Sequence, residues 1–483
     1  MSATQDSNNK IVRSISLGTI WRALRYPFLI CSMIFIPRVM TAPVYGRFAV
    51  FLSVYMLCES FTGLGNMQVF GRFLPTYADE DEEGRRRFLH GMLLYGVLIT
   101  LTIMSVATLI LLRHRPESFR ASWIIALFLI LLFGKIQGTL FSYLYGMNQI
   151  GRFSSRDLIR SFSRFAVVLI LFMAFGLYGA VWAFVINELI LVLISGWWSR
   201  DALFSKVGIV PWHEMRSYIF FGLAFYVPTV LIGMLQRSGE LMIAGWSGIA
   251  EEVGYFNLAN QFLLMTVSFL GILLATLLPS LTKFQTRGDH KQAEQWMRHA
   301  VVFCAAMVVM ALYALGFMGR YLIPIVGKTF DVERVYINAL LLGTAAFPLL
   351  LVHVGSNWAV LQKDAKGYSV ISAIAAAAMI GMSRILIPHY ASLGAATSSI
   401  IAYVVFAALF CARYTMVMRT MLIWLLRVMA CGTLPATLIF ATHSFTTSLA
   451  ACLIAISAFV VLMLATRTVR MNDIKRYITM LKP

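Results

Sequence analysis

The amino-acid sequence predicts an all-α polytopic membrane protein of about 14 transmembrane helices, with two parallel six-helix lobes around a central cleft plus a C-terminal helix pair. Three observations support this fold class: the composition, the long apolar runs and an internal repeat. Of 483 residues, 60% are hydrophobic and only 13% are charged, and the mean hydropathy is +0.79. A soluble domain is roughly 45–50% apolar and about 25% charged, so this chain is too apolar to be a soluble protein.

Fourteen apolar runs are long enough to cross the roughly 30 Å of hydrocarbon in a bilayer. They lie near residues 15–36, 45–65, 88–112, 122–145, 162–177, 179–198, 217–245, 253–278, 299–319, 335–360, 368–388, 393–411, 421–441 and 447–466. Charge and glycine at 233–248 interrupt the outer half of the seventh run, and only GLYG (176–179) separates the fifth from the sixth. The polar N-terminal tail has no signal-peptide pattern, so we expect the first run to be a retained helix.

Comparison of the chain with itself indicates a duplication with an offset of 204 to 216 residues. The matched positions are Gly18 with Gly222, Gly46 with Gly254, FLPTY (73–77) with LLPSL (277–281), Gly151 with Gly367, and GAVWAF (179–184) with GAATSS (394–399). Because each unit holds an even number of spans, both units enter the membrane in the same orientation, which predicts a parallel repeat.

The repeat and the charges predict how the chain is organised. The predicted segments are a cytoplasmic tail (1–14), an N-lobe (15–198), a cytoplasmic linker (199–216), a C-lobe (217–411), an extra hairpin (412–466) and a basic cytoplasmic tail (467–483). Most of the 40 Lys and Arg lie on the side of the N-terminus, which is the positive-inside pattern and predicts cytoplasmic termini. The net charge of +19 therefore reflects topology and anionic lipid, and we expect no nucleic-acid partner.

The sequence carries no pattern typical of an enzyme site. The six cysteines lie in or beside apolar runs without CxxC spacing, so neither a disulfide nor a metal site is indicated. GxxxxGK[ST], HExxH and GxSxG motifs are absent, and the predicted outer loops are too short for a catalytic domain. We therefore expect no catalytic residues, no metal and no cofactor.

Basic residues inside the apolar runs are the first candidates for a functional site, because charge within a bilayer is costly unless it faces water or a partner. The candidates for a cationic, anion-binding cleft are Arg22, Arg25, Lys135, Arg237 and Arg384. Each has a structural alternative: the first two can snorkel to the headgroups, and Arg384 can anchor at the outer interface. Lys135 lies mid-span, where snorkelling is harder. Arg427, within reach of the inner headgroups, is interpreted as structural.

Acidic residues inside the runs are candidates for ion coupling or for ion pairs. Glu59 and Glu188 fit either role, and Glu240 lies three residues after Arg237, so these two can pair with each other. Basic groups outnumber acidic ones, and we expect a wet, net positive cleft. Such a cleft suits an anionic passenger, since the guanidinium fork binds two phosphate oxygens at once.

Short motifs beside the second and eighth runs resemble those of a known transporter family. VYGRFAVF (44–51), GLGNMQVFGRFLPTYADEDE (63–82) and VGYFNLANQF (253–262) resemble the Wzx-type flippases, the polysaccharide transporters of the multidrug/oligosaccharidyl-lipid/polysaccharide exporter superfamily. The resemblance implies a V-shaped pair of lobes in the bacterial inner membrane. It also implies an undecaprenyl-diphosphate-linked oligosaccharide moved from the inner to the outer leaflet, driven by an H⁺ or Na⁺ gradient, and a polysaccharide polymerase as a possible partner.

Other functions stay open on the sequence alone. A drug exporter of the same superfamily would favour an acidic pocket, and a lipid II flippase also commonly has fourteen spans. A membrane-embedded glycan polymerase or ligase usually needs a long outer loop, which is not predicted here. Non-catalytic scaffolding would leave the buried charges unexplained.

Overall fold

The structure is a computed structural model, and every regular element that it describes is a helix. It describes residue 21 and residues 24–63, 65–74, 81–114, 122–147, 149–205, 208, 210–286, 290–327, 329–362, 364–440, 445–466 and 468. The first seven helices are α1 (24–39), α2 (Ala42–Thr62), α3 (Asn66–Phe73), α4 (Glu82–His114), α5 (Ser122–Gly146), α6 (Ile150–Trp198) and α7 (Arg200–Leu203). The others are α8 (Trp212–Trp246), α9 (Ala250–Thr286), α10 (His290–Val326), α11 (Val332–Thr344), α12 (Ala346–Leu361), α13 (Ala365–Arg413), α14 (Thr415–Phe440) and α15 (Phe445–Ala465).

The apolar length of these helices confirms a membrane protein. Within the described residues, nine helices are long and apolar enough to cross a membrane, or ten if the two halves of α8 form one span. The chain is therefore an all-α, multi-pass membrane protein, as the sequence predicts. The total of 14 spans stays a prediction.

Two compact units divide the chain, Met1–Ala244 and Gly245–Pro483, here called unit 1 and unit 2. In unit 1, α5 is the central helix and packs against α2, α3, α4 and α6. In unit 2, α9 packs against α11 and α12, α13 packs against α12, and the C-terminal pair α14 and α15 packs together. The predicted lobe, linker and hairpin boundaries rest on the repeat and stay predictions.

Two very long helices, α6 and α13, are equivalent in geometry. Each spans 49 residues and contains one non-helical residue, Gly176 (φ 60°) in α6 and Ala391 (φ 48°) in α13. A helix of this length would reach about 74 Å, more than twice the apolar core of a bilayer, so each break divides one helix into two spans. The break at Gly176 lies within GLYG (176–179), the segment between the fifth and sixth predicted spans.

The repeat extends to the packing around these breaks. A Cβ atom on Gly179 would lie 2.0 Å from the carbonyl oxygen of Leu171, and one on Gly394 would lie 2.4 Å from that of Leu386. Both glycines follow their break by three residues, and both face a carbonyl eight residues earlier. This shared close approach explains why GAVWAF and GAATSS both begin with glycine.

Helix α8, which contains the seventh predicted span, is bent near its middle. Its halves, Trp212–Leu223 and Tyr226–Trp246, meet at an angle of 45°, and Pro228 lies just beyond the bend. A proline ring clashes with the carbonyl four residues earlier, which explains a bend at this point. The charged segment 233–248 does not break the helix before Trp246.

Candidate functional site: a cationic chamber in unit 1

A cavity of about 390 Å³ lies in unit 1, between α2, α3 and α5, with single contributions from α6 and α8. Its charged lining residues are Glu59, Lys135 and Arg156, and its aromatic hydroxyls come from Tyr55 and Tyr226. Gly63 and Gly65, which lie between α2 and α3, form part of one wall. We call this cavity the unit 1 chamber.

Lys135 is the most buried cation of the chamber, with 4% of the residue exposed. Its ammonium donates a hydrogen bond to Asn66 Oδ1 at 3.0 Å, and Asn66 Nδ2 donates to Thr139 Oγ1 at 2.9 Å. Among the described residues, no carboxylate forms an ion pair with Lys135. An uncompensated buried charge is costly, and a bound anion would offset that cost.

Helix α6 begins with arginines at every fourth position: Arg152, Arg156, Arg160 and Arg164. Residues four apart lie on one face of a helix, so the four form a basic stripe. Arg160 donates to Glu188 Oε2 at 3.0 Å, and Arg164 lies 3.6 Å from Glu188 Oε1.

Glu188 is fully buried, and its charge is compensated on several sides. Besides the two arginines, Gln137 Nε2 donates to Glu188 Oε2 at 3.1 Å. Glu59 lies at the rim of the same network, 3.7 Å from Arg160, with 38% of its side chain exposed. The buried carboxylate therefore fixes two arginines of the stripe, while Glu59 remains accessible from the chamber.

Arg156 lines the chamber without an acidic partner among the described residues. Its guanidinium lies over the ring of Phe141, 5.5 Å from the centroid. Arg25 is different, because its guanidinium pairs with Asp157 Oδ2 at 3.4 Å and is thereby partly neutralised. Arg22 lies outside the described residues.

The chamber and the network around it are net positive. Five basic side chains (Arg25, Lys135, Arg156, Arg160 and Arg164) face three acidic ones (Glu59, Asp157 and Glu188). The two cations without a carboxylate partner line the cavity itself. Such an arrangement can hold an anion with at least two negative charges.

The remaining predicted site residues lie elsewhere. Arg237 and Glu240 belong to α8 and lie 4.0 Å apart, as their spacing predicts, but neither lines the chamber. Arg384 belongs to unit 2, where it is exposed on α13. A role for these three residues in a cleft stays a prediction.

Sequence reasoning missed Arg156 and Arg160 because the predicted fifth span begins at residue 162, which left both in a loop. The four-residue spacing in GRFSSRDLIRSFSRF (151–165) is the signal that could have found them. Asn66 carried no signal, since its contact with Lys135 joins residues 69 apart in the chain. Within the described residues, no cluster of three or more His, Cys, Asp or Glu could hold a metal ion.

A family model described as "Polysaccharide biosynthesis protein" matches residues 11–285, more than half of the chain. The fold is similar to that of the lipid II flippase MurJ in an inward closed conformation, with a TM-score of 0.74 and 13% identity, over 94% of this chain and 99% of that one. No curated protein sequence matches the chain significantly.

Transporters of a second group share the fold. An inward-facing multidrug resistance MATE family transporter of the MOP superfamily is similar with a TM-score of 0.63 and 14% identity, over 85% of this chain and 98% of that one. A mutant of the Vibrio cholerae MATE transporter VcmN is similar with a TM-score of 0.56 and 13% identity, over 87% of this chain and 99% of that one. At these identities, the likeness concerns the fold.

Proposed function

The chain belongs to the polysaccharide biosynthesis protein family, and we propose that it is a flippase for lipid-linked oligosaccharides. Its passenger is an undecaprenyl-diphosphate-linked repeat unit, moved from the inner to the outer leaflet of the bacterial inner membrane for surface or exopolysaccharide assembly. The termini are cytoplasmic, and a polysaccharide polymerase uses the product on the outer side. The observation that carries the proposal is a net positive chamber lined by two cations, Lys135 and Arg156, without carboxylate partners.

The chemistry of the two cations suits a diphosphate. Arg156 offers a planar fork that can bind two oxygens at once, and Lys135 acts as a compact point charge. The ammonium of Lys135 uses one of its three N–H groups to bind Asn66. The other N–H groups of this ammonium can donate to a ligand in the chamber. Among the described residues, neither cation has a carboxylate partner, and the diphosphate would supply one anionic partner to both. This pairing would stabilise the diphosphate in the chamber and so favour its movement out of the headgroup layer.

An ion gradient drives the cycle in this proposal, by alternating access of the passenger to the two leaflets. Glu59 is a better coupling candidate than Glu188, because Glu59 is exposed to the cavity, whereas Glu188 is enclosed by two arginines. Arg25, by pairing with Asp157, joins α1 to the basic stripe and has a supporting role.

The test is transbilayer movement of a fluorescent undecaprenyl-diphosphate oligosaccharide in proteoliposomes, read by accessibility to an external quencher. We expect wild-type protein to move the lipid under an imposed H⁺ or Na⁺ gradient, and Lys135→Gln and Arg156→Gln to lose most of that activity. Arg113→Gln is the matched control, because it removes one positive charge from an exposed position of α4 that does not line the chamber. If the two chamber variants keep wild-type rates, the chamber is not the passenger site.

Similarity to a lipid II flippase favours a second candidate passenger, an undecaprenyl-diphosphate-linked cell-wall precursor. The same assay with a fluorescent lipid II analogue separates the two, since the headgroup sugars differ while the diphosphate is shared. A drug exporter is disfavoured by the excess of basic groups, and transport of a cationic dye by the wild type would reverse that judgement.

A further inference from the structure

Trp424 on α14 lies at the centre of a second basic cluster, which is in unit 2. The guanidinium of Arg298, on α10, lies 5.1 Å from the indole centroid, and that of Arg427 lies 4.7 Å from it. Two positive charges therefore lie within roughly 10 Å of each other around one aromatic ring. We call these three residues the Trp424 cluster.

Among the residues that the structure describes, neither arginine of the Trp424 cluster has an acidic partner. Among the described residues, no ion pair or hydrogen bond involves Arg298 or Arg427, although Glu294 precedes Arg298 by one helical turn. Arg427 is exposed, and Arg298 is half-buried. Two neighbouring like charges repel each other, so an anion between them would relieve that repulsion.

The cluster lies at the polar edge of two apolar segments. The apolar run of α10 begins at 299, one residue after Arg298, and that of α14 begins at 421. Trp424 and Arg427 lie about 5–9 Å into this run, a depth at which tryptophan is typical and from which an arginine can reach the headgroups. By the positive-inside pattern, this edge is on the cytoplasmic side.

Apolar side chains flank the cluster on the same helix. Ile423 and Leu426, on either side of Trp424 along the chain, are 43% and 52% exposed. Inorganic phosphate would make no favourable contact with these two side chains. A phosphate attached to acyl chains would contact both the guanidinium groups and the apolar side chains. The combination favours an amphiphilic anion as the ligand.

We propose that the Trp424 cluster is a binding site for the phosphate headgroup of an anionic phospholipid of the inner leaflet. Arg298 and Arg427 bind the phosphate oxygens from two helices, and Trp424 holds both side chains in place. Bulk phospholipid, rather than a lipid-linked sugar, is the occupant, because Arg427, Ile423 and Leu426 are exposed on α14 and phospholipids outnumber lipid-linked sugars in the membrane. The site joins α14 to α10, so the lipid stabilises the packing of the C-terminal helix pair against the rest of unit 2.

The test uses the purified, delipidated full chain, with phosphatidylglycerol binding followed by native mass spectrometry and by the thermal midpoint. We expect phosphatidylglycerol to bind and to raise the midpoint, and phosphatidylethanolamine with the same acyl chains to do so far less. Each juxtamembrane basic residue contributes enough that its loss weakens binding about fivefold. Arg298→Gln with Arg427→Gln is therefore expected to weaken phosphatidylglycerol binding about 25-fold.

The control removes two positive charges from other exposed positions, by Arg47→Gln with Arg113→Gln, and is expected to bind like the wild type. If the cluster variant is less stable, mass spectrometry of its folded fraction still reports lipid binding directly. Unchanged phosphatidylglycerol affinity in the cluster variant would overturn the proposal. Equal stabilisation by inorganic phosphate, or occupation of the cluster by undecaprenyl-diphosphate oligosaccharide in preference to phosphatidylglycerol, would overturn it as well.

Discussion

Replacement of Ala391 by glycine tests the break in α13 most directly. Ala391 has φ 48°, and it is the only non-glycine residue with positive φ among the described residues. Its neighbours hold it there: Ser392 donates from its backbone N–H to Glu252 Oε2 at 3.2 Å, and its hydroxyl also donates to Glu252. Asn338 Nδ2 donates to Ser392 Oγ at 2.9 Å. None of these contacts uses the side chain of residue 391.

The expected effect of Ala391→Gly follows from two opposing contributions. A strained backbone at a non-glycine residue costs about 1–3 kcal/mol, and glycine removes that strain. Glycine also loses more conformational entropy on folding, which costs about 0.5–1 kcal/mol. The net result is a stabilisation of about 0–2.5 kcal/mol, with a central value of about 1 kcal/mol. The thermal midpoint should rise by about 2–4 °C per kcal/mol in a unit of this size.

The assay is the thermal midpoint in detergent, read by the monodisperse fraction after heating. Ala377→Gly is the control, because Ala377 is an exposed residue of the same helix, where the same substitution should lower stability by about 1 kcal/mol. Gly176→Ala is the converse variant: no atom lies within 4 Å of its new Cβ, so backbone strain alone should destabilise it. If Ala391→Gly lowers the midpoint as Ala377→Gly does, residue 391 is ordinary helix and the proposed division of α13 fails.

Three further variants test the chamber and the junction between α12 and α13 in unit 2. Glu188→Gln leaves Arg160 and Arg164 without their buried partner and should cost about 3 kcal/mol of stability, so an unchanged thermal midpoint would contradict the network. Asn66→Asp places a carboxylate beside Lys135 and should weaken binding of the lipid-linked diphosphate about tenfold, as measured with the fluorescent lipid. If this variant binds the lipid with wild-type affinity, Lys135 is not part of the binding site. Hydrogen bonding from Arg413 lowers the pKa of Asp364 from 3.8 to about 2, so its stabilisation is complete above pH 3.8 and is lost as the pH falls through about 2. Thermal midpoints of wild type and Asp364→Asn should therefore differ at pH 7 and converge near pH 2, and a constant difference would refute the pairing.

The sequence alone determined the elements of this protein whose causes are local. An apolar run of a given length forms a membrane-crossing helix because burial in hydrocarbon depends on composition along the segment. The break at GLYG was readable because glycine permits the backbone conformation found at Gly176. Its equivalent in the second half of the chain lies in the gap between the predicted runs 368–388 and 393–411, although Ala391 itself is not a residue type that marks a break.

Only the tertiary structure decided which buried charges are compensated. Arg25 and Lys135 are alike in sequence terms, yet Arg25 pairs with Asp157, 132 residues away, while Lys135 has Asn66 as its neighbour. Arg156 and Arg160 are one turn apart on the same helix, but only Arg160 reaches Glu188. Whether a cation is paired or available to a ligand depends on a few ångströms between helices, and no local pattern encodes that distance.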